Sequence, residues 1–431
     1  MRFFPAPTPA LLGVFAVAAI ALHAFAADEP PLEWIDPDTG HRIVRLSREP
    51  ESASLYFHQN AFTPEGDKMV FATPGGLSVI DLRTHEIKLA VPGLRYSVHG
   101  SGGVEVGRRT RHVYYEKDGA IWTTHLDTLV TRELAKLPAG GAMQSLNADE
   151  TLVVGVLTDP AAARGPGGWP AAGTVLRAAD GRELTFAEQR EVLLDRRLNR
   201  RIPMSLFALD LRTGEVKTIH AGTDWLGHVQ FSPTDPGLVM FCHEGPWHKV
   251  DRIWTVRTDG SGLTKIHART MNMEIAGHEF FSADGQTVWY DLQTPRGEDF
   301  WIAGDELATG RRTWWHLQRN EWSVHFTASP DGTCFAGDGG DSEMVAHAPD
   351  GKWLYLFRPE GVPDVAGLKA PDSETLIKPG FLKSERLVNL TKHNYQLEPN
   401  VHFTPDMKWI VFRSNLHGPM HVYAVEIAKA R

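Results

Sequence analysis

The sequence predicts an all-β protein, a seven-bladed β-propeller, on three observations. One phrase of strand, polar turn and strand recurs seven times along the chain. Most copies continue into a third strand and a tight polar hairpin, completing a four-stranded unit. Aromatic residues are abundant, and 40 Gly and 28 Pro in 431 residues supply the turns that such a chain needs.

The copies begin with "AFTPEGDKMVFAT" at Ala61, then "VHGSGGVEVGRRTRHVYYEKDG" at Val98 and "QSLNADETLVVGVL" at Gln144. They continue as "VQFSPTDPGLVMFCHEG" at Val229, "EFFSADGQTVWYDLQ" at Glu279, "FTASPDGTCFAGDGG" at Phe326 and "VHFTPDMKWIVFRSN" at Val401. Pro, Asp, Asn and Gly at each turn preset the required backbone angles. Segments such as "SLFALDLRTGEVKTIH" carry the third strand and its hairpin. Two longer gaps hold inserts, near 159–201 and 341–392. The strand "HRIVRLS" (His41–Ser47) precedes the first copy without a hairpin partner, while the last copy, ending in "HVYAVEIAKA", lacks a fourth strand. The two ends are therefore expected to share the last blade and close the ring.

Ahead of the repeats, Arg2, the apolar run Leu11–Leu22 and Ala24-Phe25-Ala26 form a secretory signal peptide, residues 1–26, cleaved before Ala27. Residues 27–431 then make one propeller domain, periplasmic or secreted, with no membrane span after cleavage. The net charge of −9 offers no basic field for nucleic acid. The two cysteines, Cys242 and Cys334, fall in different copies and are expected as buried free thiols.

In a propeller, the residues that open the innermost strands meet at one mouth of the central channel. His58, His228, His278, His325 and His402 all stand at such openings, and Glu398 and Asn400 share that place in the last copy. Any one of these imidazoles suits a structural role as well as a functional one, but imidazoles and carboxylates converging from blade after blade suit a divalent metal. His243 differs: it ends a second strand in "CHEGPWH", where a neutral imidazole can accept a proton. Glu244 stands beside it, and Arg252 and Arg413, near blade ends, are candidates to grip a carboxylate in bidentate fashion.

The stretch "DWLGHVQFSPTDPGLVMFCHEGPWHKVDRIWTVRTDGSGLTKI" (Asp224–Ile266) resembles the central region of oligogalacturonate lyases. The similarity extends through "SLYFHQNAFTPEGDKMVF", "GHEFFSADG", "HFTASPDGTCFAGDGGD" and "EPNVHFTPDMKWIVFRSNLHGP". The resemblance implies a seven-bladed propeller that cleaves acidic pectic oligosaccharides by β-elimination with a divalent metal, Mn²⁺ first and Ca²⁺ or Mg²⁺ as alternatives. It implies His243 as the base and His278 as a metal ligand. Glu398 and Asn400 stand where the family carries two imidazoles, and His325 and Gln396 are further candidate ligands. Arg252, Arg413, His228 and His58 are left for the substrate. A lyase for another acidic glycan, such as rhamnogalacturonan or ulvan, and a non-catalytic propeller that binds glycan or protein are the alternatives. A propeller peptidase is disfavoured, since the chain has no G-x-S-x-G elbow.

Overall fold

In the computed structural model, residues 29–98, 102–158 and 175–430 are described. The expected signal peptide and residues 159–174 of the first expected insert lie outside them. The propeller lies within Leu32–Arg431, one compact unit.

Seven blades are present, and their strands follow the repeat. The fourth, at Trp225–Phe231, Leu238–Glu244, Ile253–Arg257 and Thr264–Lys265, is representative. Val239, Met240, Phe241 and Cys242 of its second strand are consecutive and fully buried, because the strand is covered by a neighbouring blade on each face. The hairpins work as their composition predicts. Asp210 Oδ1 accepts the amides of Arg212 and Thr213 at 2.9 and 2.7 Å, and Gly214 takes the left-handed angle that reverses the chain. In the first blade Asp81 does the same, and His85 takes the place of that glycine at φ 59°.

The ring closes as expected. His41–Arg45 pairs antiparallel with His421–Lys429, setting Ile43 opposite Val425 and Val44 opposite Ala424. The last blade is thus a five-stranded sheet built from both chain ends.

The two expected inserts fare differently. Most of 341–392 is blade, not insert: Trp353–Gly361 and Lys378–Asn389 are the third and fourth strands of the sixth sheet, and only their hairpin is extended. The long fourth strand also runs parallel to Thr313–His316 of the fifth blade, fusing two blades into one eight-stranded sheet. Gly380 makes this approach possible, since a Cβ there would stand 2.1 Å from the Trp315 ring. The first insert, in contrast, carries a helix, α1 (Phe186–Arg200). Thr185 and Glu188 form its capping box, Arg197 and Arg200 complement its C-terminal dipole, and Arg201 ends it at φ 49°.

The core of the last blade buries two neutral imidazoles. His393 uses Nε2 on the Leu397 carbonyl at 2.6 Å, and His402 uses Nε2 on the Leu55 carbonyl at 3.0 Å. Burial pushes both pKa values down to about 4. The unfolded chain binds these protons near pH ~6.5, so stability is full above that pH and falls as the pH drops toward about 4. The expected loss is on the order of 3 kcal/mol per ring across the window. Melting temperatures measured from neutral pH down to about 5.5, above the range where most unfolded carboxylates titrate, should decline steadily. A flat profile there would refute the assignment.

Candidate functional site

The site begins with strain at the openings of the inner strands. His228 and His278 lie at φ 46° and 44° and Asn400 at φ 53°, at matched places in the fourth, fifth and seventh blades. In the first two, the strand register slips, between Gly227 and Gln230 and between Gly277 and Phe280. A bulge with a non-glycine residue in the left-handed region is costly and re-aims one side chain, a device that clusters at functional sites. The segment Tyr56–His58 threads among these openings. Tyr56 packs on His228 at 5.7 Å and His325 at 5.4 Å between ring centres, and Phe57 packs on His278 at 6.4 Å.

One group forms where the fifth, sixth and seventh blades meet. His278 and His325 lie edge to face, 4.5 Å between ring centres. Asp291 Oδ1 holds His278 Nδ1 at 2.9 Å, and Asp338 Oδ2 holds His325 Nδ1 at 2.9 Å. Each carboxylate fixes its ring and leaves Nε2 for another partner, the outer-shell arrangement of metal-binding histidines. His325 Nε2 stands 3.3 Å from the Tyr56 hydroxyl and 3.8 Å from Glu398 Oε2. Burial opposes a charge on His325, yet Asp338 and Glu398 outweigh it and raise its pKa. Burial likewise disfavours ionised Glu398, but His325, His278 and Arg190 hold its pKa below the ordinary carboxylate value. Two oriented imidazoles and an ionised carboxylate in a negative surrounding are a donor set that a divalent cation fits.

His243 occupies a different wall. Along Leu238–Glu244 the side chains alternate, so Cys242 and Glu244 face one neighbour and His243 faces the other. His243 stacks on Trp254 at 5.3 Å and on His220 of the third blade at 6.1 Å. Asp224 Oδ2 lies 3.5 Å from its Nδ1, and its buried Nε2 has no protein partner. Burial lowers its pKa, with Asp224 opposing, which leaves a neutral ring with a lone pair at neutral pH.

Several expected roles do not survive. Asn400 is fully buried: its Oδ1 accepts the Phe57 amide at 3.0 Å and its Nδ2 donates to the Glu398 carbonyl at 3.0 Å, so it shapes the loop and has no atom left for a metal. Gln396 is exposed on the preceding turn, while the buried neighbour Tyr395 points its hydroxyl to the Asp338 carbonyl. Arg413 is wholly buried and donates to the carbonyls of Glu398, Ser54 and Val98. Arg252 is buried between Glu279 and Glu244, at 3.0 and 3.3 Å. Neither arginine is available to a substrate carboxylate. His58 is half-buried beside Tyr56 with its Nε2 buried and unpartnered, and His228 gives Nε2 to Glu244 at 3.1 Å with Nδ1 unpartnered. Cys334 is half-buried, not buried, and both thiols are free.

Among the described residues, His228, Cys242 and Glu244 bring possible ligand atoms within 4.8 Å of one another. This trio suits a cation poorly. Burial pushes the Cys242 thiol pKa far up, so no thiolate is on offer, and the Arg252 guanidinium already sits on Glu244.

The expectations also miss groups the structure brings in. Asp224, Asp291, Asp338 and Tyr56 orient or touch the imidazoles, and helix α1 contributes a wall. Its residues Ala187, Arg190, Glu191 and Leu194, spaced i, i+3, i+4 and i+7, line a pocket with His278, Asp291 and Trp247. The acids had a signal that went unused: Asp291 lies in the second strand of its blade and Asp338 directly follows that of the next, each beside the opening it serves.

The family model described as oligogalacturonate lyase matches residues 199–430. The oligogalacturonate lyase of Dickeya dadantii is 25% identical over 413 residues, 91% of this chain and 95% of that protein. The oligogalacturonide lyase of Pectobacterium atrosepticum is 25% identical over 418 residues, with the same shares. Among solved structures, an oligogalacturonate lyase in complex with manganese superposes with a TM-score of 0.70 at 23% identity, covering 92% of this chain and 96% of that one. An oligogalacturonate lyase from Vibrio parahaemolyticus does so with a TM-score of 0.70 at 22% identity and the same coverage. These two likenesses establish the propeller fold.

Proposed function

The chain belongs to the oligogalacturonate lyase family, and from that premise we propose how it acts as a lyase of pectic oligosaccharides. The reading rests on one observation above the rest: His243 is a neutral imidazole whose buried Nε2 has no protein partner. A uronate unit carries a weakly acidic C5 proton beside its carboxylate. His243 takes that proton at Nε2, the C5–H electron pair becomes the C4=C5 double bond, and the C4–O4 bond breaks with its pair on O4, which takes up a proton from water. Asp224 supports the ring from Nδ1, and Trp254 fixes its plane. His243 and the His278 group come from different blades, and both must face one uronate, since the C5 proton and the carboxylate belong to the same sugar.

His278, His325 and Glu398 would hold a divalent cation, with Asp291 and Asp338 behind the two imidazoles. When bound, it neutralises the uronate carboxylate and so makes the C5 proton easier to remove. Asn400 and Gln396 leave the expected set while His278, His325 and Glu398 stay, which leaves two nitrogen donors and one carboxylate. That mixture favours Mn²⁺ over Ca²⁺ or Mg²⁺, in keeping with the manganese held by the solved relative. The apolar, small-residue N-terminus supports export, so the reaction would take place in the periplasm or outside the cell. Among the described residues, no helix is long and apolar enough to cross a membrane.

Three outcomes are expected. His243→Ala should cut the formation of ultraviolet-absorbing 4,5-unsaturated product from oligogalacturonate by about 10²- to 10⁴-fold. In the parent protein kcat/KM should rise with pH along an acid limb whose pKa lies below the ordinary histidine value. Undiminished turnover in the variant would move the base elsewhere, with His228 the next ring to test. Chelation should abolish turnover, and Mn²⁺ should restore it better than Ca²⁺. Activity that survives exhaustive chelation, with metal content shown to be nil, would remove the cation from the reading.

The third concerns export. The mature protein recovered from its native host should begin at Ala27 by N-terminal mass spectrometry, and an intact Met1 on cytoplasmic protein would contradict it.

A further inference from the structure

Both arginines expected to hold a substrate carboxylate are consumed inside the ring, which leaves the anionic substrate without a cationic partner from that set. The cavity at the channel mouth suggests where one comes from. Helix α1 presents Ala187, Arg190, Glu191 and Leu194 to it, and the facing wall holds His278, Asp291 and Trp247. The helix is tied down from both sides: Arg296 binds Glu191, Lys249 binds Asp195, and Arg201 binds Asp224, the carboxylate beside His243. Arg197 adds a cation–π contact with Trp225, at 5.6 Å.

Arg190 is half-buried on the lining stripe of this helix. It shares the cavity with His278 and with Asp291, the carboxylate behind that ring. Leu194, Ile275 and Val345 line the same cavity and thin the water around it, which strengthens a charge–charge contact. Trp247 offers a flat apolar face of the kind on which a sugar ring stacks. A planar guanidinium on the lining of such a cavity matches a carboxylate in two-point geometry.

Building on the lyase reading, we infer that Arg190 of helix α1 is a substrate-binding residue that grips a uronate carboxylate at the channel mouth, with Trp247 beneath the sugar. The inserted helix thereby selects acidic over esterified oligomers. Arg190 and Glu191 are neighbours, and the ion pair of Glu191 with Arg296 keeps that carboxylate engaged on the ring side.

The test compares the parent protein with Arg190→Gln and Arg190→Lys on oligogalacturonate and on its methyl ester. Loss of a charge-assisted pair should raise KM for the acid roughly 10- to 100-fold in Arg190→Gln with a smaller change in kcat. Arg190→Lys should recover part of it, and the preference for acid over ester should collapse in the Gln variant. A KM within about twofold of the parent, with a lower melting temperature, would make Arg190 a mere latch for the helix and overturn the inference. Calorimetric binding of trigalacturonate to His243→Ala, with and without Arg190→Gln, separates the two levels. If the parent does not cleave but the Gln variant loses binding, the lyase reading fails and the Arg190 assignment stands. If trigalacturonate binds equally well with and without Arg190, the assignment fails regardless of catalysis.

Discussion

Closure of the ring by His41–Arg45 is the constraint on which the remaining structure depends. The polar groups of the site come from several blades, and no blade holds them all. The hydrogen bond from the Phe57 amide to Asn400 Oδ1 joins residues 343 positions apart, and that from Thr39 to the Leu387 carbonyl joins residues 348 apart. Contacts of such separation gain nothing until the loop between them is closed. Once the N-terminal strand seals the last blade, the first-blade segment Tyr56–His58 and the seventh-blade segment Glu398–Asn400 are neighbours by geometry. The opening of each inner strand then acts as one position on a rim.

On that rim the chain spends backbone strain and buried charge together. Left-handed angles at His228, His278 and Asn400 are unfavourable for residues with a Cβ, and the pairing around them must compensate. For the two histidines the reward is a side chain turned out of the ladder toward other blades. For Asn400 it is a side chain that stitches the Phe57 and Glu398 backbones together. The same geometry thus serves as a ligand-bearing bulge in one blade and as a structural clamp in another. That difference explains why matched positions in a repeat do not have matched roles. Arg252 between Glu244 and Glu279 follows the same logic, since three charges buried together are tolerated only because each is paired.

The architecture was largely legible in the sequence because it is periodic. Recurrent turn chemistry and β-rich runs give blade number, and an orphan strand at one end with a blade one strand short at the other gives closure. What resisted was whatever broke the period. Strands three and four of the sixth blade read as an insert because their hairpin is extended, although Trp353–Gly361 and Lys378–Asn389 pair residue by residue like any other blade. Helix α1 was hidden because its turns lie within an irregular stretch, although "EQREVLLDRRLNR" is rich in helix formers and Thr185 and Glu188 make a capping box. In the site, the rim histidines could be named from spacing, but not what each was bonded to. Arg413 and Arg252 look like surface arginines until burial is known, and Arg190 looks like any charged residue until its helix is seen to lie over the mouth.

Two imidazoles of this protein have their protonation pushed in opposite directions, and the reason for the split assigns their chemistry. His243 and His325 are both desolvated, which favours the neutral form of each. At His243 the opposing carboxylate, Asp224, stands at 3.5 Å and is shared with Arg201, so its field is partly cancelled and burial prevails. At His325 the carboxylate of Asp338 is at 2.9 Å, wholly buried, and reinforced by Glu398, so the anionic field prevails. A ring kept neutral with an unpartnered nitrogen can remove a proton. A ring among carboxylates that attract positive charge sits where a cation is at home. Pairs of titratable groups driven apart in this way can mark the acid–base and electrostatic halves of an active site, and the proposed roles of His243 and His325 follow that division. The charge pattern also dictates what lies between them: a group negative enough to be worth neutralising.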